Sequence, residues 1–166
     1  MCIRDRHARW QEGLNAAYGG GMPGEVFVSP VVNDWVLVIG KPLWNKLDMD
    51  CRIQDNDWFM SLLEAATELQ YYSTHRDTNN HAWVKARHGA IQRAYGYCGE
   101  LDEVMWNLGP ITTQEYMLGF SADSKGQLSR KPLERDVLVL SALWSVDTTF
   151  TNVPMVPADG FIGKLR

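Results

Sequence analysis

The stretch that decides the fold is His81–Asn107, HAWVKARHGAIQRAYGYCGELDEVMWN. Its segments 82–87 and 90–97 have the β-branched, aromatic and alternating composition that is typical of strands. The dipeptide His88-Gly89 separates them, and glycine readily adopts the positive φ that a tight hairpin needs. A further strand is expected at 103–107, after a polar turn. The sequence therefore predicts three consecutive antiparallel strands in the middle of the chain.

The hairpin also predicts which side chains share a face of the sheet. A two-residue turn pairs Val84 with Arg93 and Ala82 with Tyr95, and side chains then alternate along each strand. The face with more hydrophobic area, expected to pack on the core with Arg93 near its edge, holds Ala82, Val84, Ala86, Ile91, Arg93, Tyr95 and Tyr97. The other face, expected to be half-exposed, holds Trp83, Lys85, Arg87, Ala90, Gln92, Ala94 and Gly96. A slip of one residue would exchange the two faces.

Apolar spacing and turn residues predict the remaining elements. Strands are expected at 25–29, 35–39 and 71–74, and helices at 7–18, 58–69, 113–118 and 134–144. Trp35–Ile39 is almost entirely apolar, which favours a central strand buried on both faces. Thr112 and Glu115 have the spacing of a capping box. We expect a mobile loop at 121–131 and an irregular tail at 146–166.

The order of these elements predicts the fold class. Strands follow one another through short turns, and helices flank them, so we expect a single α+β domain over 1–166 with a mainly antiparallel sheet. The length of 166 residues suits one domain. The net charge of −4 argues against non-specific binding to nucleic acid or to a membrane surface. No apolar run approaches the roughly 20 residues of a transmembrane helix.

The cysteines and the first residues bear on origin and compartment. Cys2, Cys51 and Cys98 are sparse and lack CxxC spacing, which favours free thiols and a cytoplasmic location; a Cys51–Cys98 bridge stays open. The opening MCIRDR resembles a short translated adapter sequence of metagenomic reads. This resemblance implies that 1–6 are not native and that the true start, with any signal peptide, is missing. We expect a bacterial source, and the residues indicate no family.

Four residues are candidates for catalysis: His75, Asp77, His81 and Cys98. The first three could act as metal ligands or as an acid–base pair, because imidazole and carboxylate groups serve both roles. The alternative is a solvated loop that bonds to its own backbone. Cys98 could be a nucleophile with a histidine as base, or a small buried side chain. No diagnostic metal or cofactor motif accompanies them, so we expect no cofactor.

A second candidate set could bind a partner molecule. It combines cations with aromatic rings: Trp83, Lys85, Arg87, Arg93, Tyr95 and Tyr97. Such residues can stack on and neutralise single-stranded nucleic acid, but an ordinary half-exposed sheet face has the same composition. The absence of an RNA-recognition signature favours the ordinary face.

These observations favour a non-enzymatic module that binds a protein partner, of an immunity-like or regulatory kind. Catalytic motifs are missing, and the many Trp and Tyr residues are of the types enriched at interfaces. The alternative is a small enzyme with a His/Asp or His/Cys site near 75–81 and Cys98. A weaker alternative is binding of single-stranded nucleic acid. Neither a membrane partner nor a nucleic-acid partner is expected for the favoured function.

Overall fold

The computed structural model describes residues 6–20, 24–46, 52–124, 127–149 and 159–165. Within these residues the chain forms two antiparallel four-stranded sheets and four α-helices. The predicted α+β class with antiparallel strands is therefore confirmed. The Cα positions group into two compact units, Met1–Lys46 with Phe150–Arg166, and Leu47–Thr149. That the chain is one domain stays a prediction.

The first unit is built around a sheet that joins both ends of the chain. Its strand order is β1-β8-β2-β3, with β1 at Arg6–Ala8, β2 at Glu25–Val28, β3 at Val38–Ile39 and β8 at Gly160–Lys164. Helix α1, Trp10–Asn15, follows β1 and continues into a π-helical turn, Ala16–Gly20. Phe27, Ile39 and Ile162 are buried from the sheet, and Ala16 and Ala17 pack with them. This core holds the short helix against the sheet.

Two predictions for the first unit are wrong in detail. His7 and Ala8 belong to β1, so the helix expected at 7–18 begins only at Trp10. The tail expected to be irregular contains β8, which pairs with both β1 and β2. Phe161 and Ile162 are apolar residues in a short segment. Such a segment can form a strand when two neighbouring strands supply its hydrogen bonds. Residues 150–158 of that tail lie outside the described residues.

The strand expected at 35–39 is also wrong, both in length and in position. Only Val38–Ile39 is a strand, and it lies at the edge of its sheet rather than in the centre. Asn33 and Asp34 both have positive φ, and they form a tight turn that closes with a bridge between Val32 and Trp35. This turn uses the first part of the apolar run. A local turn has thus overridden a strand-like composition.

The second unit contains the predicted hairpin at its centre. Its sheet has the order β4-β5-β6-β7, with β4 at Glu68–His75, β5 at Asn80–Arg87, β6 at Ala90–Cys98 and β7 at Glu103–Leu108. His88 and Gly89 both have positive φ, as a two-residue hairpin turn requires. The turn, the three consecutive strands and their antiparallel pairing agree with the prediction.

Helices cover both faces of this second sheet. Helix α2, Asp57–Ala65, packs on one face, where Phe59 and Leu63 are buried against Val84 and Trp106. Helices α3, Thr113–Met117, and α4, Glu134–Trp144, belong to the other face. There Trp83 and Tyr95 are buried together with Leu140 of α4. The sheet therefore has two buried faces, and the predicted half-exposed face does not exist.

A β-bulge explains why the predicted register of the hairpin was wrong. Ala86 pairs with Ile91 as expected, but Lys85 pairs with Arg93, so Gln92 is an extra residue in β6. Beyond this point every pair shifts by one residue relative to the prediction, and Val84 faces Ala94 instead of Arg93. A bulge of this kind gives no clear signal in an alternating sequence. Trp83, Lys85, Arg93, Tyr95 and Tyr97 consequently share one face.

Helix α2 is shorter than the pattern indicated. Asn56 caps it by accepting a hydrogen bond from the Phe59 N–H, and Ala66 is already extended. Leu69, which fits the helical spacing, lies in β4 and packs against the same core as α2. The strand expected at 71–74 therefore begins earlier, at Glu68. Leu69 therefore continues the helical spacing of apolar residues in the sequence, although it belongs to a strand.

The last elements of the second unit agree well with the sequence. Thr112 and Glu115 form the predicted capping box at the start of α3, and α4 has the predicted bounds. The loop expected at 121–131 contains a bridge between Ala122 and Leu128 within its described part. Among the described residues, no helix is long and apolar enough to cross a membrane. The open question of a Cys51–Cys98 bridge concerns a cysteine outside the described residues.

Candidate functional site

His81 is the most constrained of the four catalytic candidates. It is almost completely buried on β5, with Nδ1 2.9 Å from Thr74 Oγ1 and Nε2 2.9 Å from Asn79 Oδ1. A carboxamide oxygen can only accept, so Nε2 carries the proton and Nδ1 accepts from the Thr74 hydroxyl. Burial lowers the pKa of His81, although the charges of Glu134 and Asp136 oppose this shift. The neutral ring therefore links the β4–β5 turn to both strands.

Two of the other catalytic candidates, His75 and Cys98, do not share a face of the sheet with His81. Thr74 lies opposite His81, so the side chain of its neighbour His75 points to the other face of the sheet. Tyr97 also lies opposite His81, which places Cys98 on that other face. His75 and Cys98 are separated by β5, two strand spacings or about 10 Å.

His75 and Asp77 are exposed, and His75 Nδ1 lies 2.8 Å from Thr78 Oγ1. Cys98 is half-buried. Within the described residues, no group of three or more His, Cys, Asp or Glu side chains is placed to hold a metal ion. The hydrogen bonds of this segment are those expected for a local polar turn. A catalytic or metal-binding role for these residues stays a prediction.

The six candidate binding residues are mostly interior. Trp83, Arg93, Tyr95 and Tyr97 are buried, Lys85 is half-buried and Arg87 is exposed. The rings of Trp83 and Tyr95 stack with centroids 4.7 Å apart, and Lys85 Nζ lies 5.4 Å from the ring centroid of Trp144. Burial raises the pKa of Tyr95 to about 12. In this arrangement the aromatic residues fill the core between the sheet and the α3–α4 side.

A buried ion pair is the most polar feature of this core. Arg93 and Glu115 are 1% and 0% exposed, and Arg93 Nε lies 2.9 Å from Glu115 Oε1. Trp83 Nε1 donates to Glu115 Oε1, and the backbone N–H and hydroxyl of Thr112 donate to Glu115 Oε2. Arg93 Nη1 donates to Asn107 Oδ1 and to nearby carbonyl oxygens. Both buried charges are therefore compensated by each other and by several hydrogen bonds.

This network joins the sheet to the start of α3, and its hydrogen bonds stabilise the fold. Each carboxylate oxygen of Glu115 accepts from at least two donors, which leaves little capacity for a substrate. The capping box was visible in the sequence. Its pairing with Arg93 was not, because the bulge at Gln92 is what turns Arg93 toward α3.

Two further ion pairs organise the loop before α4. Arg130 makes two hydrogen bonds to the Asp136 carboxylate and a third to the Leu118 carbonyl. Burial disfavours the ionised form of Asp136, but the hydrogen bonds from Arg130 and from the Leu133 N–H lower its pKa below the usual range. Lys131 Nζ lies 2.5 Å from Asp102 Oδ1, which also accepts from the Tyr97 hydroxyl. These contacts connect the loop to α3, α4 and the β6–β7 turn.

Exposed apolar side chains concentrate on α3 and α4. Tyr116 and Met117 of α3 are exposed, and Met117 is 69% exposed. Val139 and Leu143, one helical turn apart on α4, are also exposed, and the two helices contact each other. We call these four residues the apolar helix surface. Nothing in the sequence pattern separated them from core residues of the same type.

Comparisons with known proteins give no relative for this chain. No protein-family model matches it, and neither a curated protein nor a solved structure matches it.

Proposed function

We propose that the chain is a non-enzymatic module that binds a protein partner through the apolar helix surface. The observation that carries this proposal is the exposure of Tyr116, Met117, Val139 and Leu143 on two neighbouring helices. Grouped exposed apolar side chains on a water-soluble domain are a common sign of an interaction site. Tyrosine and methionine are also enriched at such sites.

The buried polar groups of the second unit support this proposal. His81, Arg93 and Glu115 are buried and hydrogen-bonded within the protein, so they support the fold rather than face a substrate. The sheet separates His81 from His75 and Cys98, which gives the enzyme hypothesis less support than the binding hypothesis. The burial of Trp83, Arg93 and Tyr95 likewise weakens the hypothesis of nucleic-acid stacking.

A regulatory or immunity-like protein acts by covering a surface of its partner, and helices that present apolar side chains are suited to this role. The sparse cysteines support a cytoplasmic location for this activity. We also propose that the protein comes from a bacterium.

The test is affinity capture with cross-linking, using the wild type and matched charge variants. Met117→Lys and Val139→Lys place a charge in the apolar helix surface, whereas Leu101→Lys places one at an exposed apolar residue of the β6–β7 turn. We expect the wild type and Leu101→Lys to retain the same partner, with cross-links at α3 and α4, and both surface variants to lose it. Equal retention by all four proteins would contradict the proposal.

A further inference from the structure

We propose that β4 pairs edge to edge with β4 of a second copy of this chain, forming a two-fold symmetric antiparallel dimer. The two sheets would then join into one continuous sheet across the dimer. The β4 edge contains none of the residues of the apolar helix surface, so pairing at this edge does not depend on the function proposed above.

The hydrogen-bond pattern of β4 shows which backbone groups point outward. The His88 N–H donates to the Thr67 carbonyl, one step beyond the pair Glu68–Arg87 in the β4–β5 register. Hydrogen-bonded and non-hydrogen-bonded pairs alternate in antiparallel strands. Leu69, Tyr71 and Ser73 therefore bond to β5. The residues whose N–H and C=O groups point away from β5 are Glu68, Gln70, Tyr72 and Thr74.

These outward groups form an open edge. Within the described ranges β4 is the terminal strand of its sheet, and no backbone–backbone hydrogen bond from another element reaches these four residues. The strand is eight residues long, its register with β5 is unbroken, and it contains no proline or lysine. Natural proteins usually protect an edge strand by making it short, by a bulge, or by placing a proline or a lysine in it.

The opposite edge of the same sheet shows that protection. Strand β7 has a shift in register where it faces Gly96 and Tyr97 of β6, and Gly109-Pro110 follows its end. A bulge and a proline both hinder pairing with a further strand. The contrast identifies β4 as the edge that can accept a partner.

A second copy is a partner that complements this edge. When Tyr71 lies on the two-fold axis opposite Tyr71 of the copy, Gln70 faces Tyr72 and Glu68 faces Thr74. Every outward residue then meets another outward residue, and each pair can exchange two backbone hydrogen bonds. No like charges face each other in this register.

The charges at the ends of β4 favour the same register. Arg76 follows the strand and pairs with Glu134 of α4, so it lies on the face of the sheet that Glu68 and Tyr72 share. Glu68 of the copy, opposite Thr74, is a diagonal neighbour of Arg76 and within reach of its long side chain. Arg76 would then lie between two carboxylates, one from each chain.

The test is sedimentation velocity of the full chain over a range of concentrations. We expect the wild type to be a reversible dimer and Gln70→Pro to raise the dimer Kd by at least about tenfold. Proline at this position removes an N–H that points outward, so the bonds to β5 remain. Gln70→Ala loses the same side chain but keeps the N–H, and we expect its dimer Kd to stay within about threefold of the wild type.

Amide hydrogen exchange gives a second readout that needs no variant. We expect exchange at Gln70 and Tyr72 to slow as protein concentration rises, while exchange at Leu69 and Tyr71 stays unchanged. A chain that stays monomeric at all concentrations would overturn the proposal, as would a dimer without this alternating protection. Protection that appears only when a different protein is added would also overturn it, in favour of a foreign strand.

Discussion

Replacing Glu115 by glutamine tests the role of the buried ion pair. The substitution keeps the size of the side chain but removes its charge, and Arg93 is then left buried without a counter-ion. Trp83, Arg93 and Thr112 donate to the two oxygens of Glu115, so the amide nitrogen of a glutamine faces donors in either orientation. At least two hydrogen bonds lose their acceptor whichever way the amide turns.

The expected loss of stability follows from this burial. Breaking a fully buried ion pair by removing one partner costs about 3–5 kcal/mol, because the remaining charge stays desolvated. Urea unfolding followed by circular dichroism would measure the loss as a lower midpoint. The control is Glu134→Gln, which removes the partner of the highly exposed Arg76, and we expect its midpoint to be close to that of the wild type.

The result that would refute this reasoning is a small effect of Glu115→Gln. A loss below about 1 kcal/mol, in the range of surface pairs, would mean that Arg93 is solvated or repaired elsewhere. The burial of the pair would then have little energetic weight.

Three further predictions concern single contacts. Because burial lowers the pKa of His81, the folded protein binds fewer protons than the unfolded chain; the stability from this residue is present above about pH 6.5 and is lost as pH falls below it. Unfolding at pH 7.5 and 5.5 should show a smaller pH-dependent loss for His81→Gln than for the exposed control His88→Gln; equal losses would contradict the assignment. Gly109→Ala should cost about 1–3 kcal/mol in thermal or urea unfolding, because Gly109 has positive φ and an added Cβ would overlap the Gln92 carbonyl. Thr112→Ala removes the cap of α3 and should cost about 0.5–2 kcal/mol, and Thr112→Ser should restore most of it.

The sequence predicts the centre of the second unit well because its signals are local. The turn at His88-Gly89, the capping box of Thr112 and Glu115, and the bounds of α4 each depend on a few neighbouring residues. Such features form the same local structure whatever the fold of the rest of the chain. The α+β class follows from their order.

The predictions fail where a contact with a distant segment, or a single extra residue in a strand, determines the structure. The bulge at Gln92 places Trp83 and Arg93 on the same face of the sheet, whereas the sequence predicted opposite faces, although both strands were correctly placed. Strand β8 exists because β1 and β2 receive it, and these lie more than 100 residues earlier in the chain. The apolar helix surface could not be separated from core residues, since exposure depends on what packs nearby.

The pairing of β8 with β1 and β2 has a consequence for biosynthesis. During translation the ribosome releases β1 and β2 long before β8, so these strands must wait for the neighbour that lies between them. The segment Leu47–Thr149 holds all the strands of its own sheet and can fold while the remainder is still being made. Released chains truncated ahead of Gly160 should therefore resist protease in that segment, whereas 6–46 should remain cleavable without β8.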